Sequence, residues 1–281
     1  TRNVVRNLRR SLITGGMIAL GVAAIVFFRG YIRGLADMML DQVVENEVGA
    51  LQVERQGYST ASDLAPLDLD LPQGPQLEAA LRSVPQIGAL APRLRFGAML
   101  LHGEDSTLVG GVGVDPAAER VVCPKGAGSQ YLADTDDGRH YGVMGPGLSG
   151  VDAAEVVVGY DLAQGLGLKP GDQVTLLAQT QRNSTDAVDA TVAGVYRTGD
   201  SEINKRLVMI PLGLAQKLLH MPGRVTSYVM SARRDAIDEA AAGLRAALVG
   251  REPAIEVRTW EELAPYYRDV ARLQNDLMGI V

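Results

Sequence analysis

The sequence predicts an α+β protein in which one membrane-spanning helix precedes a large mixed body. Three observations carry that expectation. Residues 11–28, SLITGGMIALGVAAIVFF, contain no charge. Beyond residue 50, alternating strand-like runs interleave with helical runs, the pattern of packed layers around a core. The charge is also divided. The chain is −6 overall, yet its first 34 residues hold six arginines and no acid, leaving 21 basic against 33 acidic residues in the remainder. A length of 281 residues is enough for about two domains, and 47% hydrophobic with 21% charged residues marks a folded chain. No basic run is interleaved with aromatics, which argues against nucleic-acid binding.

At about 1.5 Å per residue the uncharged stretch is ~27 Å long, close to the ~30 Å of a hydrocarbon core. Arg9, Arg10 and Arg29 bracket it. A buried helix of a soluble protein keeps a polar stripe, and this one is apolar all round. A cleaved signal peptide would be followed by a small-x-small site, and none follows Phe28. The positive-inside rule places the N-terminus in the cytoplasm and residues after about 35 on the outer side. From Tyr31 to Glu47 there is no proline, and Leu35, Met38, Met39 and Val43 keep helical spacing, so the helix is expected to continue as a stalk up to Gly49.

A strand follows at 50–55, and Pro75 opens a helix over 76–84 from its favoured first position. Strands at 87–101 and 106–114 are joined by the turn HGED. The centre, 115–205, is rich in glycine and short strands. Its clearest part, 156–180, reads as strand, helix 160–166, a Lys169–Pro170–Gly171–Asp172 turn and strand 173–179. Two more strands are expected at 189–196 and 206–210. A helix at 211–219, a strand at 226–231, an alanine-rich helix at 234–249 and a strand at 254–257 follow, and Thr259 caps a last helix from Trp260. Two β-α-β units therefore flank a β-rich centre, which suggests one mixed sheet carrying an inserted domain.

Little in the chain points to bond-making chemistry. Cys123 is the single cysteine, and His102, His140 and His220 lie far apart, so no disulfide framework or metal-ligand spacing exists. Gly111–Val112–Gly113 lacks the third glycine of a dinucleotide loop because position 116 is proline, and no helix-opening context is read after it. Gly147–Leu148–Ser149–Gly150–Val151 lacks the closing glycine of a nucleophile elbow. None of the four lysines follows a glycine, so the chain carries no phosphate-binding loop. Asp134, Asp136 and Asp137 read as a solvated acidic turn, with calcium as the alternative. Met17, Met38 and Met39 lie near the membrane exit, where thioethers adapt to varied apolar ligands or simply pack.

In order and spacing these pieces resemble the permease subunits of the MacB/LolC/LolE/FtsX class of ABC transporters. The matching stretches are RNVVRNLRRS before the span, GALQVERQGY after the stalk, GVDP at 113–116, GYDLAQGLGLKPGDQVTLLAQT at 159–180, VAGVYRTGDSEINKRLVMIPLGLAQKLL at 192–219 and TWEELAPYYRDV at 259–270. The resemblance implies a cytoplasmic N-terminus, first span and stalk over 1–47, a porter-like α/β domain in two parts (48–114 and 206–258), a sabre-like β-rich insert at 115–205, and a stalk helix with the start of a second span at 259–281. It implies a multi-pass protein of the bacterial inner membrane with residues from about 35 to 265 in the periplasm. The implied chain is non-catalytic and binds no cofactor itself; ATP and magnesium belong to a separate cytoplasmic ATPase dimer. A second permease subunit, identical or not, would complete the membrane part.

Within the class, GALQV…GY and TWEEL resemble lipoprotein-releasing permeases most. The implied function is ATP-driven extraction of lipoproteins from the inner membrane towards a periplasmic carrier. A drug or peptide exporter of the MacB type and FtsX-like signalling to a periplasmic hydrolase are the alternatives. Acyl chains would contact Met17, Leu20, Ala24, Phe27 and Phe28, with Tyr31 at the mouth of the cavity. A carrier-contacting hairpin would fall at Thr180–Ala187, with Gln181, Arg182 and Asn183 as contact candidates. That segment is short and polar, without proline or an aromatic anchor, which favours a plain surface hairpin over a carrier hook, so the chain resembles the non-hook partner of such a pair or a divergent homodimeric permease.

Overall fold

A computed structural model describes residues 8–60, 65–128, 132–134, 140–265 and 268–269. The chain divides into two units, residues 1–42 with 265–281, and Val43–Ala264. Within the first unit, Leu8–Ala36 and onward to Val43 form a single α-helix, α1 (Leu8–Val43). It contains no proline, and Gly30 and Gly34 leave it unbroken. Its last turn widens at Val44–Val48 into a π-helical turn, closed by Gly49 N–H donating to Val44 O at 3.1 Å. Gly49 has φ +65, and a Cβ there would strike the Val229 side chain, so the stop at Gly49 has both a conformational and a packing cause.

The second unit starts with the strand β1 (Leu51–Arg55), the two-residue β2 (Leu71–Pro72), helix α2 (Pro75–Arg82) and the long strand β3 (Ile87–His102). Near its end are β11 (Arg224–Val225), which pairs with β2, then β12 (Ser227–Ala232), helix α7 (Ile237–Leu248) and β13 (Ile255–Thr259). The order β13-β1-β12-β3 is antiparallel throughout. Each β-α-β unit is therefore split by a strand of the other. β12 lies between β1 and β3, and β1 lies between β12 and β13. One face of this sheet presents Leu51, Val53, Leu90, Tyr228, Met230 and Val257, all buried. Leu77 and Leu81 of α2 and Ile237, Ala240, Ala241, Leu244 and Leu248 of α7 are buried as well. Tyr228 Oη donates to Glu78 of α2, and Arg245 of α7 donates to the Val257 carbonyl, which places both helices over this face.

The middle of the chain supplies β4 (Asp105–Val114), α3 (Pro116–Val122), β5 (Leu132–Asp134), β6 (His140–Met144), β7 (Glu155–Gly159), α4 (Tyr160–Leu166), β8 (Gln173–Gln179), β9 (Thr185–Arg197), α5 (Ser201–Arg206), β10 (Leu207–Pro211) and α6 (Leu212–Leu218). β3 pairs with β4 along one edge. Along its other edge it pairs first with β12 and then, at Ala98–Leu101, with β8. Thr191 of β9 faces Gln173 of β8 on one side and Glu155 of β7 on the other. With β7 on β10 and β10 on β4, the ladder β3-β4-β10-β7-β9-β8 closes on itself. Six strands thus make a small barrel that shares β3 with the four-stranded sheet. Leu94, Phe96, Ala98, Leu100, Val158, Leu176, Val208 and Ile210 are buried along it. A Cβ at Gly111 would strike the Phe96 ring, and one at Gly113 the Ala215 methyl. The Gly-Val-Gly run is therefore a packing feature that admits larger neighbours.

The helix α3 corrects the reading of that run. Asp115 caps it by accepting from Ala117 N–H (2.9 Å) and Ala118 N–H (3.3 Å), and Pro116 stands at its first position. The last helix, α8 (Trp260–Leu263), begins with the expected Thr259 cap, joined by Glu262 in a capping box. Most of 266–281, where a second span is expected, lies outside the described residues, as does part of the acidic turn at 135–139.

Candidate functional site

Leu12–Ile32 of α1 is long and apolar enough to cross a membrane, with none of it buried within the protein. Met17, Leu20, Phe27, Phe28 and Tyr31 are each at least 60% exposed, and Ala24 is exposed beside them. Their spacing of three and four residues places all six within an arc of about 100° around the helix axis. Phe27 meets Phe28 edge-on at 6.2 Å between centroids and stacks with Tyr31 at 6.5 Å. The result is one apolar stripe whose outer end is aromatic. Gly15, Gly16, Gly21, Gly30 and Gly34 leave open space where their side chains would be.

The π-turn at 44–48 rests on the second face of the four-stranded sheet, the one opposite α2 and α7. Lys125 Nζ pairs with Glu45 at 2.5 Å, and Lys125 N–H donates to the Glu45 carbonyl. Cys123 Sγ lies 3.8 Å from the Val44 carbonyl, and Gln52 of β1 donates to the Val48 carbonyl at 2.9 Å. Gly126 sits against the Asn46 carbonyl so closely that a Cβ would overlap it. Below this turn, Arg93 of β3 reaches Glu119 of α3 with two bonds, at 2.5 and 3.2 Å, and donates to Cys123 Sγ at 3.1 Å. Both charged side chains are at most 3% exposed. Ala91, Val122, Cys123 and Val229 fill the space beside them. Burial pushes the Cys123 thiol up to about 12, so this is an inert packing cysteine.

The expected hairpin candidates lie at the turn between β8 and β9. Thr180 N–H donates to Ser184 O at 2.7 Å, and Asn183 takes a left-handed conformation (φ 59). Gln181 donates from its backbone to Leu219 O, and from its side chain to Leu67 O (3.1 Å) and Asp70 (3.3 Å). Asp70 is in turn held by two bonds from Arg224. Arg182 and Asn183 are exposed. The turn is thus tied to the loop before β2 through Gln181 and open to solvent at Arg182 and Asn183.

Among the described residues, no group of three or more His, Cys, Asp or Glu could hold a metal. Ser149 donates to Glu155 through both its N–H and its hydroxyl, the arrangement of a capped turn. The features that sequence reasoning missed are the π-turn and the α3 platform. Asp115–Pro116 was the available signal for α3; no local pattern marks the π-turn.

The pattern of the MacB-like periplasmic core domain matches residues 11–247. Among solved structures, the periplasmic region of MacB from Actinobacillus actinomycetemcomitans superposes with a TM-score of 0.50 at 14% identity, covering 81% of this chain and 98% of that one. The extracellular domain of the noncanonic ABC-type transporter YknZ from Gram-positive bacteria gives a TM-score of 0.47 at 13% identity, over 75% of this chain and 100% of that one. No curated protein matches the chain in sequence. The mixed α/β fold described above resembles that of MacB periplasmic domains. The chain belongs to the MacB-like periplasmic core domain family, membrane-associated permease components that work with ATPase partners in ABC transporters.

Proposed function

We propose that this chain is a lipoprotein-releasing permease, which moves acylated substrates out of the inner membrane by conformational work. The observation that supports this most is the stripe Met17–Leu20–Ala24–Phe27–Phe28–Tyr31, apolar along its length and aromatic at its outer end. A stripe of that kind accepts acyl chains by area and shape, with the Tyr31 hydroxyl at its end the one polar group to desolvate. In this reading a second permease subunit closes the cavity, the chain spans the membrane more than once, and residues 115–205, which supply β5 to β9, are the inserted sabre-like part, completed into a barrel by β3, β4 and β10 of the porter-like parts. Arg182 and Asn183, with Gln181 as their anchor, form the surface that a periplasmic carrier would meet.

ATP-driven closure shifts the population towards the state that binds the acyl chain least, and so expels it. The π-turn is the element through which the helix acts on the sheet. The test is to purify the full chain with its ATPase in mild detergent and analyse retained ligand by mass spectrometry. Acylated peptide is expected. A non-lipidated drug or peptide in its place would assign a MacB-type exporter instead. A stably bound soluble hydrolase without any transported ligand would assign signalling.

A further inference from the structure

At the end of β9, Arg197 is held by two aromatic rings. Its guanidinium carbon lies 4.1 Å from the centroid of Tyr160, the first residue of α4, and 5.9 Å from that of Tyr141 in β6. Both distances are within the ~6 Å reach of a cation–π contact. Gly142 is the cross-strand partner of Arg197, so no side chain stands opposite it in the ladder. Arg197 is half-buried, and no carboxylate, carbonyl or hydroxyl accepts from it among the described residues. The Tyr141 and Tyr160 hydroxyls are likewise uncommitted there. Three other arginines of the same body commit donors internally: Arg93 to Glu119, Arg224 to Asp70 and Arg258 to the Glu262 carbonyl.

We infer that Tyr141, Tyr160 and Arg197 form a recognition site for a ligand bearing a single carboxylate. A stacked guanidinium has lost its rotamer freedom before binding, while its planar fork keeps two parallel N–H donors for one carboxylate. The surroundings set the charge of the guest. Asp161 follows Tyr160, Asp200 lies three residues beyond Arg197, and the chain after residue 34 carries an excess of acid. Repulsion scales with the charge of the guest, so a phosphate dianion or a polyacidic segment is disfavoured relative to one carboxylate in a neutral context. The site does not depend on the transported substrate.

The test uses the full chain in detergent micelles with isotope-labelled tyrosine, following the Tyr141 and Tyr160 ring resonances. The probes are N-acetylalanine, its amide N-acetylalaninamide, and inorganic phosphate. The carboxylate is expected to shift both rings saturably, the amide not at all, and phosphate more weakly than the carboxylate. Arg197→Lys keeps the charge but loses the fork, and is expected to weaken the carboxylate about tenfold. Tyr160→Leu, read on the Tyr141 ring, should weaken it too and covers the case in which Arg197→Lys disturbs folding. Equal response to the amide, tighter binding of phosphate, no saturation, or unchanged affinity in both variants would each overturn the assignment.

Discussion

On one face of the β13-β1-β12-β3 sheet, Leu51, Val53, Tyr228 and Met230 pack under two helices; on the other, Gln52, Glu54, Arg93, Ser227 and Arg258 share the space with α3 and the π-turn. The first face follows the strand alternation that any half-buried sheet shows. The second buries a salt bridge, a carboxylate and a polar ladder. Breaking a buried ion pair is costly, whereas replacing it entirely by apolar groups is often neutral or stabilising. A pair of this kind therefore says less about stability than about placement. Here it fixes α3, and α3 carries the Cys123–Gly126 segment against which the π-turn at 44–48 packs.

The largest effect that would sharpen this contrast is Glu119→Ala. It leaves Arg93 charged and unpaired in the interior and is expected to cost about 3–5 kcal/mol, measured by urea unfolding of the full chain in micelles. The double variant Arg93→Met/Glu119→Leu should recover most of that loss. If the double variant is as unstable as the single one, the pair is a mainstay of the fold, and the division between the two faces fails. Next in size is Gly126→Ala, whose methyl group overlaps the Asn46 carbonyl. Overpacking of this kind costs about 1–3 kcal/mol. The expected result is a small fall in Tm with faster amide exchange confined to 44–49; exchange rising evenly over the sheet would show that the turn is not a separate element.

How far the sequence revealed this depends on the range of each interaction. α4 and β8 are found to the residue because their ends are local: Gly167 closes α4 in a left-handed conformation, and the Lys169–Asp172 turn is held by Lys169 N–H donating to Asp172. β9 starts at Thr185, four residues before the expected start, because Asp186 and Asp189 break its apolar alternation and it is recognisable only beside β8. Barrel closure needs β3 to pair with β8 some 75 residues later, which no window of sequence displays. The apolar helix Leu12–Ile32 was legible for the opposite reason, since apolar character and length within one segment suffice to mark it. Gln181 was visible as a turn residue, but its acceptors at Leu67 and Asp70 lie over 100 positions away.

The smallest expected effect concerns Glu54. Burial raises its pKa above the ordinary 4.5, against the opposing pull of Arg95 and Arg258, while Glu256 adds to the rise. Tyr58 is the other titratable group facing it. One carboxylate oxygen lies 3.9 Å from Arg258 and has no hydrogen-bond partner. The folded state then holds this proton more tightly than the unfolded chain does. Its ionised form detracts from stability above the raised value, and that deficit fades as pH falls to 4.5 and below. Glu54→Gln is expected to raise Tm at neutral pH, with the difference vanishing near pH 4. A lower Tm at neutral pH would mean that the Arg258 pairing outweighs burial.

In the permease proposed above, motion of α1 is expected to reach the sheet through the continuous helix and the π-turn that follows it. Met39→Pro tests it most directly, because proline removes a backbone donor and costs ~3 kcal/mol or more in a helix interior, while leaving residues 44–55 and 123–126 unaltered. Hydrogen exchange of those two segments would be compared with and without ATP, in the complex with the ATPase, for the wild-type chain and the variant. The expected result is an ATP-dependent change in both segments of the wild type and its loss in Met39→Pro, with ATP hydrolysis retained. The same ATP-dependent change in the variant would contradict the claim and move the coupling element elsewhere.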